Sequence, residues 1–170
     1  QPDPAALAEL FERYLETFGD STYLVPAYVA VAATMSEMGK NLERAEALAQ
    51  RIPERADKAA RPENQTEEQW MQQRNTWKGL ALSIQGQILM HQEKTPEAIA
   101  KFTEAEPLLA AVPVPRARNL FRLGYAYAKL GRLDPARRYL MQVVALESPY
   151  KAAAQDVLNK VEQRRPKRPQ

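Results

Sequence analysis

Cysteine is absent from this 170-residue chain, and histidine occurs once, as His91. Without cysteine there is no disulfide, no thiol nucleophile and no thiolate metal site. With one histidine, a catalytic dyad or metal site would have to be completed by carboxylates alone. His91 lies near a helix end beside Gln92 and Glu93, and reads as a solvent-facing residue. Glycine is scarce, six residues in all, and no Gly-rich loop to cradle a phosphate is present. Long apolar runs are missing too. The longest, LVPAYVAVAATM at 24–35, falls short of the ~20 residues of a membrane span and is Ala-rich, which predicts a buried helix. Asp and Glu are scattered over helix starts and polar faces, as in PENQTEEQ, where they complement the helix dipole. Together these absences argue against an enzyme, a metal centre and a cofactor.

What is present fits one globular domain. Apolar residues make up 45% and charged residues 26%, and the length allows a sizeable core. The net charge is +3, but RRPKRPQ at 164–170 carries four positive charges, which leaves the remainder at −1. The basicity therefore belongs mainly to a Pro-rich tail of disordered composition, and nucleic acid is disfavoured as a partner. The lack of cysteine and a start without Met favour export, to a periplasm or cell surface, over the cytoplasm.

The helical period dominates and no strand pattern appears. Leu7, Leu10, Phe11, Tyr14, Leu15 and Phe18 share one face of a helix over 4–18, opened by Pro4 and ended by Gly19. That apolar stripe packs within its own chain or against a neighbour. A second helix is expected over 22–39 and a third over 41–52, with Asn41 as its cap. The stretch 53–65, with Pro53 and Pro62, reads as a connection. Thr66 and Gln69 have capping-box spacing and open a long helix to about Gln92. TPEA at 95, DPAR at 134 and SPYK at 148 each predict a capping side chain followed by Pro at the first helical position. VPVPR at 112–116 reads as an extended break. The count is about eight helices, an all-α chain.

Two segments repeat at an offset of 38, with Leu82 matching Leu120, Gly86 matching Gly124, Ala98 matching Ala136 and Phe102 opposite Leu140. Gln85 breaks the pattern opposite Leu123. A glycine inside a helix costs about 1 kcal/mol against alanine, so Gly124 and Ala136 predict a close approach of two helices. Leu120, Leu123, Gly124 and Tyr127, then Gly131 in the turn, then Ala136, Leu140 and Val143, resemble the tetratricopeptide repeat family. Val143 and Ser148 stand where the family prefers Ala and Pro. The resemblance is strong over 117–150, fair over 79–110, where Leu89 replaces Tyr, and weak over 27–53, where Ala33, Gly39 and Ala45 fit only if the turn shifts by one residue. It implies a short right-handed solenoid of antiparallel helix pairs over 1–163, closed by a capping helix at 148–163.

By residue spacing alone, Arg118, Arg122, Tyr125 and Lys129 share one helix face, distinct from the Leu120/Gly124/Tyr127 face. Between 116 and 138 there are seven basic residues and one acid, Asp134. The family resemblance implies that the first helix of each pair lines a concave groove. Arg118, Phe121, Arg122, Tyr125 and Lys129 then face a partner in the last repeat, and Ser83, Ile84, Gln87 and His91 in the middle one. Arg118 and Arg122 match two basic positions with which some family members hold a C-terminal carboxylate. Ala30, Thr34 and Ile84 do not match the accompanying positions. The expected function is a non-catalytic module binding an acidic or mixed peptide segment of another protein. The alternative is a structural subunit that self-assembles or forms part of a larger envelope or filament assembly.

Overall fold

The computed structural model describes residues 24–164 throughout, together with 9–10, 13–14 and 17–18. Seven helices follow one another: α1 (Leu24–Met38), α2 (Leu42–Lys58), α3 (Glu67–His91), α4 (Thr95–Leu109), α5 (Pro113–Lys129), α6 (Leu133–Ala145) and α7 (Lys151–Arg164). No strand occurs among the described residues, and the chain is all-α. The helix expected over 4–18 lies mostly outside them; of its stripe, Leu10, Tyr14 and Phe18 are described and are exposed. The tail at 165–170 also lies outside them. Among the described residues no helix is long and apolar enough to cross a membrane.

Each helix packs on the next in sequence, and α1, α3, α5 and α7 also touch in succession; among the described residues no other helix pair brings its backbones together. The core follows that order. One apolar cluster joins α1, α2 and the face of α3 that carries Trp70, Trp77, Ala81, Ile84 and Ile88. A second joins α5, α6 and α7 around Leu120, Leu140 and Leu158. Ala98 and Phe102 of α4, packed on Leu123 and Ala126 of α5, bridge the two.

Three turns share one construction. Gly39, Glu93 and Gly131 each take a positive φ, at 64°, 62° and 71°. The next N–H, of Lys40, Lys94 and Arg132, donates back to the carbonyls of Met35, Leu89 and Tyr127 at 3.1, 2.9 and 2.9 Å. This is the left-handed closure that satisfies the last carbonyls of a helix. The first return bonds of the following helices run from Ala45, Ala98 and Ala136, all fully buried. The first turn is one residue longer than the others. Asn41 is the N-cap residue as expected, but this extra length puts it at φ 51°, where its side chain makes no capping bond.

Counting back seven residues from each left-handed residue gives Ala32, Gly86 and Gly124, all buried. Ala32, not Ala33, is thus the small residue of the first pair. A methyl group on Gly86 would come within 2.5 Å of the Phe102 ring, and one on Gly124 within 2.8 Å of Leu140 Cγ and 3.3 Å of its backbone nitrogen. Gly124 is therefore vacated for Leu140, one turn beyond Ala136, and not for Ala136 itself. Burying a Phe or Leu side chain contributes about 1.5–3 kcal/mol, which exceeds the ~1 kcal/mol helix cost of the glycine. Leu82 is only half-buried, unlike its counterpart Leu120.

Proline positions account for the other departures. α2 continues through Pro53 to Lys58, because Ile52 and Ala56 on either side of it are fully buried and hold the chain helical. α5 begins at Pro113, so the expected break at 112–116 shrinks to its first residue, Val112. Pro113 and Pro115 sit in the first turn, where N–H groups have no partner within the helix. Thr95 and Asp134 lie inside their helices, whose caps are Lys94 and Arg132. The capping box at Thr66 forms as expected, with Gln69 N–H donating to Thr66 Oγ1 at 3.2 Å and Thr66 N–H to Gln69 Oε1 at 2.9 Å.

Candidate functional site

The polar face of α5 meets the end of α1 across α3. Arg118 Nη1 donates to Glu37 Oε1 at 2.9 Å, and Arg122 Nη2 donates to the same oxygen at 3.2 Å. Arg122 Nη1 also donates to Ser83 Oγ at 3.2 Å and to the Ser83 carbonyl at 3.4 Å. The helices α1 and α5 have no backbone contact, so this ion pair spans the intervening helix. The two arginines expected to grip a partner's carboxylate already hold one from their own chain.

The setting is unequal on the two sides of the pair. The Arg122 side chain is only 10% exposed and Arg118 20%, whereas Glu37 is 49% exposed. The Arg122 guanidinium is held down to about 10, first by burial and next by the charge of Arg118; Glu37 acts in the opposite sense. It remains a cation at neutral pH. Ile84 occupies the matching place on α3, 38 residues earlier, and is 1% exposed. Packing alone is met there by an apolar side chain. A guanidinium in that place carries a desolvation cost that no packing need explains.

Beside the arginines lies a cavity of about 430 Å³, lined by Phe121, Tyr125, Tyr150, Met90 and Val157, with Gln87, Glu37, Arg118 and Arg122 as its polar part. Phe121 stacks on Tyr125 at 6.5 Å between ring centroids and on Tyr150 at 6.1 Å. Tyr125 keeps 49% of its surface exposed. This combination can seat a negatively charged group and an apolar side chain side by side.

Of the residues singled out by sequence, Arg118, Phe121, Arg122, Tyr125 and Gln87 come together here. Lys129 lines an adjoining cavity instead. Ser83 and Ile84 are buried, and Ser83 serves as a support for Arg122 rather than a partner-facing group. His91 does not line the cavity. Its Nε2 donates to the Ser36 carbonyl at 2.8 Å, tying the end of α3 to the end of α1. Glu37, Met90, Tyr150 and Val157 were not foreseen. Glu37 is 81 and 85 residues from its two partners, beyond any local pattern. Aligning the turns reveals it, since Glu37, His91 and Lys129 each stand two residues before the left-handed residue. Among the described residues no group of three or more His, Asp or Glu side chains is placed to hold a metal ion.

Compared with known proteins, the chain matches no family model, no curated protein and no solved structure.

Proposed function

We propose that the chain is a short helical-repeat solenoid of the tetratricopeptide type, and that it works as a non-catalytic module holding an acidic peptide segment with an apolar anchor. Backbone packing that, among the described residues, runs between sequence neighbours and successive odd-numbered helices supports the repeat reading. So do the shared turn and the vacated positions at Gly86 and Gly124. The observation that carries the functional reading is Arg122. It is a mostly buried cation where the preceding repeat has isoleucine, it shares one carboxylate oxygen with Arg118, and it opens onto an aromatic-lined cavity. Glu37 stands in for the ligand's carboxylate, and the ligand displaces or joins it. Phe121 and Tyr125 receive the neighbouring apolar side chain.

The test is fluorescence anisotropy with a labelled peptide that carries glutamate next to phenylalanine, and a matched peptide carrying lysine for glutamate. Saturable binding of the acidic peptide alone is expected. Arg118→Glu and, separately, the exposed Tyr125→Ser should each abolish it while helicity by circular dichroism stays unchanged. Equal binding by wild type and both variants would overturn the reading.

One observation favours self-association as a second reading. Leu10, Tyr14 and Phe18, all exposed, fall four residues apart and so on one helix face. Sedimentation velocity over a range of concentrations, comparing wild type with Tyr14→Ser/Phe18→Ser, tests it: a mass that rises with concentration only in the wild type supports it, and a wild-type monomer throughout rejects it.

A further inference from the structure

Next along α5 lies a second cavity of about 200 Å³ that shares Tyr125 and Val157 with the first. Its lining adds Lys129, Lys160 and Arg164, and no acid. The two cavities thus adjoin along α5, meeting at Tyr125 and at Val157 of α7. At one end two guanidiniums share Glu37; at the other three cations face no carboxylate of the lining. Lys129 follows Arg122 by seven residues, two helical turns, which sets the two charged ends about 10 Å apart along α5. Tyr125 and Val157 lie between them. Charge of one sign at both ends of an apolar midsection calls for a ligand with the complementary layout.

We propose that Lys129, Lys160 and Arg164 form a second anion subsite, and that the partner is a peptide segment with two carboxylates bracketing one apolar side chain. The proposal rests on the groove reading above and deepens it. In an extended chain, side chains on one face recur every second residue, so the acid, the apolar residue and the second acid stand at i, i+2 and i+4. That is about 13 Å from first to last at about 3.3 Å per residue, a span that the long lysine and arginine side chains can meet. The arginine end takes the first carboxylate in place of Glu37. The apolar side chain lies over Tyr125 and Val157. The second carboxylate meets the lysines, which need no displacement to receive it.

Three labelled peptides of equal length, with glutamate at both positions, at the first only or at the second only, provide the test. The two-acid peptide should bind the wild type roughly tenfold tighter than either one-acid peptide. Lys129→Glu/Lys160→Glu changes two exposed residues, so the fold is expected to persist. It should erase the advantage of the second acid and leave binding of the first-acid peptide intact. Equal affinity of the one-acid and two-acid peptides for the wild type would overturn the second subsite while leaving the groove reading standing. So would undiminished binding of the two-acid peptide by the double variant. Failure of all three peptides to bind would instead sink the groove itself. A mixed-sequence oligonucleotide that displaces the two-acid peptide at physiological salt would also overturn the proposal, because the cations would then be serving phosphates.

Discussion

The helices α3 and α5 answer the same packing problem with two different outer faces. Both vacate one position for a large residue of the following helix, Gly86 for Phe102 and Gly124 for Leu140. Both end in a left-handed residue, Glu93 and Gly131, and both are followed by a fully buried alanine, Ala98 and Ala136. On the other side they diverge: Ser83, Ile84, Gln87 and His91 on α3 stand where α5 has Phe121, Arg122, Tyr125 and Lys129. The shared positions are those that stacking dictates. At the divergent ones α3 buries Ser83 and Ile84, whereas α5 holds cations and aromatics around a cavity.

The largest effect is expected from breaking what the two helices share. Leucine at Gly86 or Gly124 has no room, and overpacking should lower stability by about 1–3 kcal/mol at either site, measured by urea denaturation. The loss should be greater at Gly86, where the obstacle is a fully buried ring at 2.5 Å. Equal stability to wild type at either site would refute the close approach.

A smaller effect separates the outer faces. Glu37→Gln removes the resident charge from the arginine pair without touching α5. Affinity for the acidic peptide should rise about fivefold, near 1 kcal/mol, a modest gain because Glu37 is half exposed. A weaker affinity would show that Glu37 organises the arginines for the ligand rather than occupying its place.

Smallest of all is the adjustment that would make the two turns alike. Glu93 holds the left-handed conformation that Gly131 adopts without strain. Glu93→Gly should therefore stabilise the chain by roughly 0.5–1 kcal/mol in thermal unfolding. A destabilised variant would mean that the Glu93 side chain makes a contribution outweighing its backbone strain.

Much of the shared face was legible because packing leaves a period in the sequence. Gly124, Leu140 and Ala136 recur at an offset of 38, and the Thr66 capping box follows from four consecutive residues. Prolines mislead where tertiary burial outweighs local preference, as at Pro53, or where first-turn freedom resembles a break, as at Pro113 and Pro115. The pairing of Gly124 with Ala136 missed by one turn, since the side chain that fills the vacated space comes from Leu140. In the groove, Arg118, Arg122, Phe121 and Tyr125 were visible from spacing on one helix. Glu37 and Tyr150 were not, because only tertiary packing of segments distant in sequence brings them to α5. That the arginines arrive with a carboxylate already in hand depends on those distant contacts.

Arg122→Met measures the central claim most directly, by urea denaturation and peptide anisotropy on the same protein. If Arg122 serves a ligand, replacing it with an apolar side chain relieves a desolvation cost, as isoleucine does at the matching place on α3. Stability should then be unchanged or higher by on the order of 1 kcal/mol, with binding of the acidic peptide lost. A fall in stability of several kcal/mol with peptide binding intact would contradict the account and make Arg122 a strut of the fold.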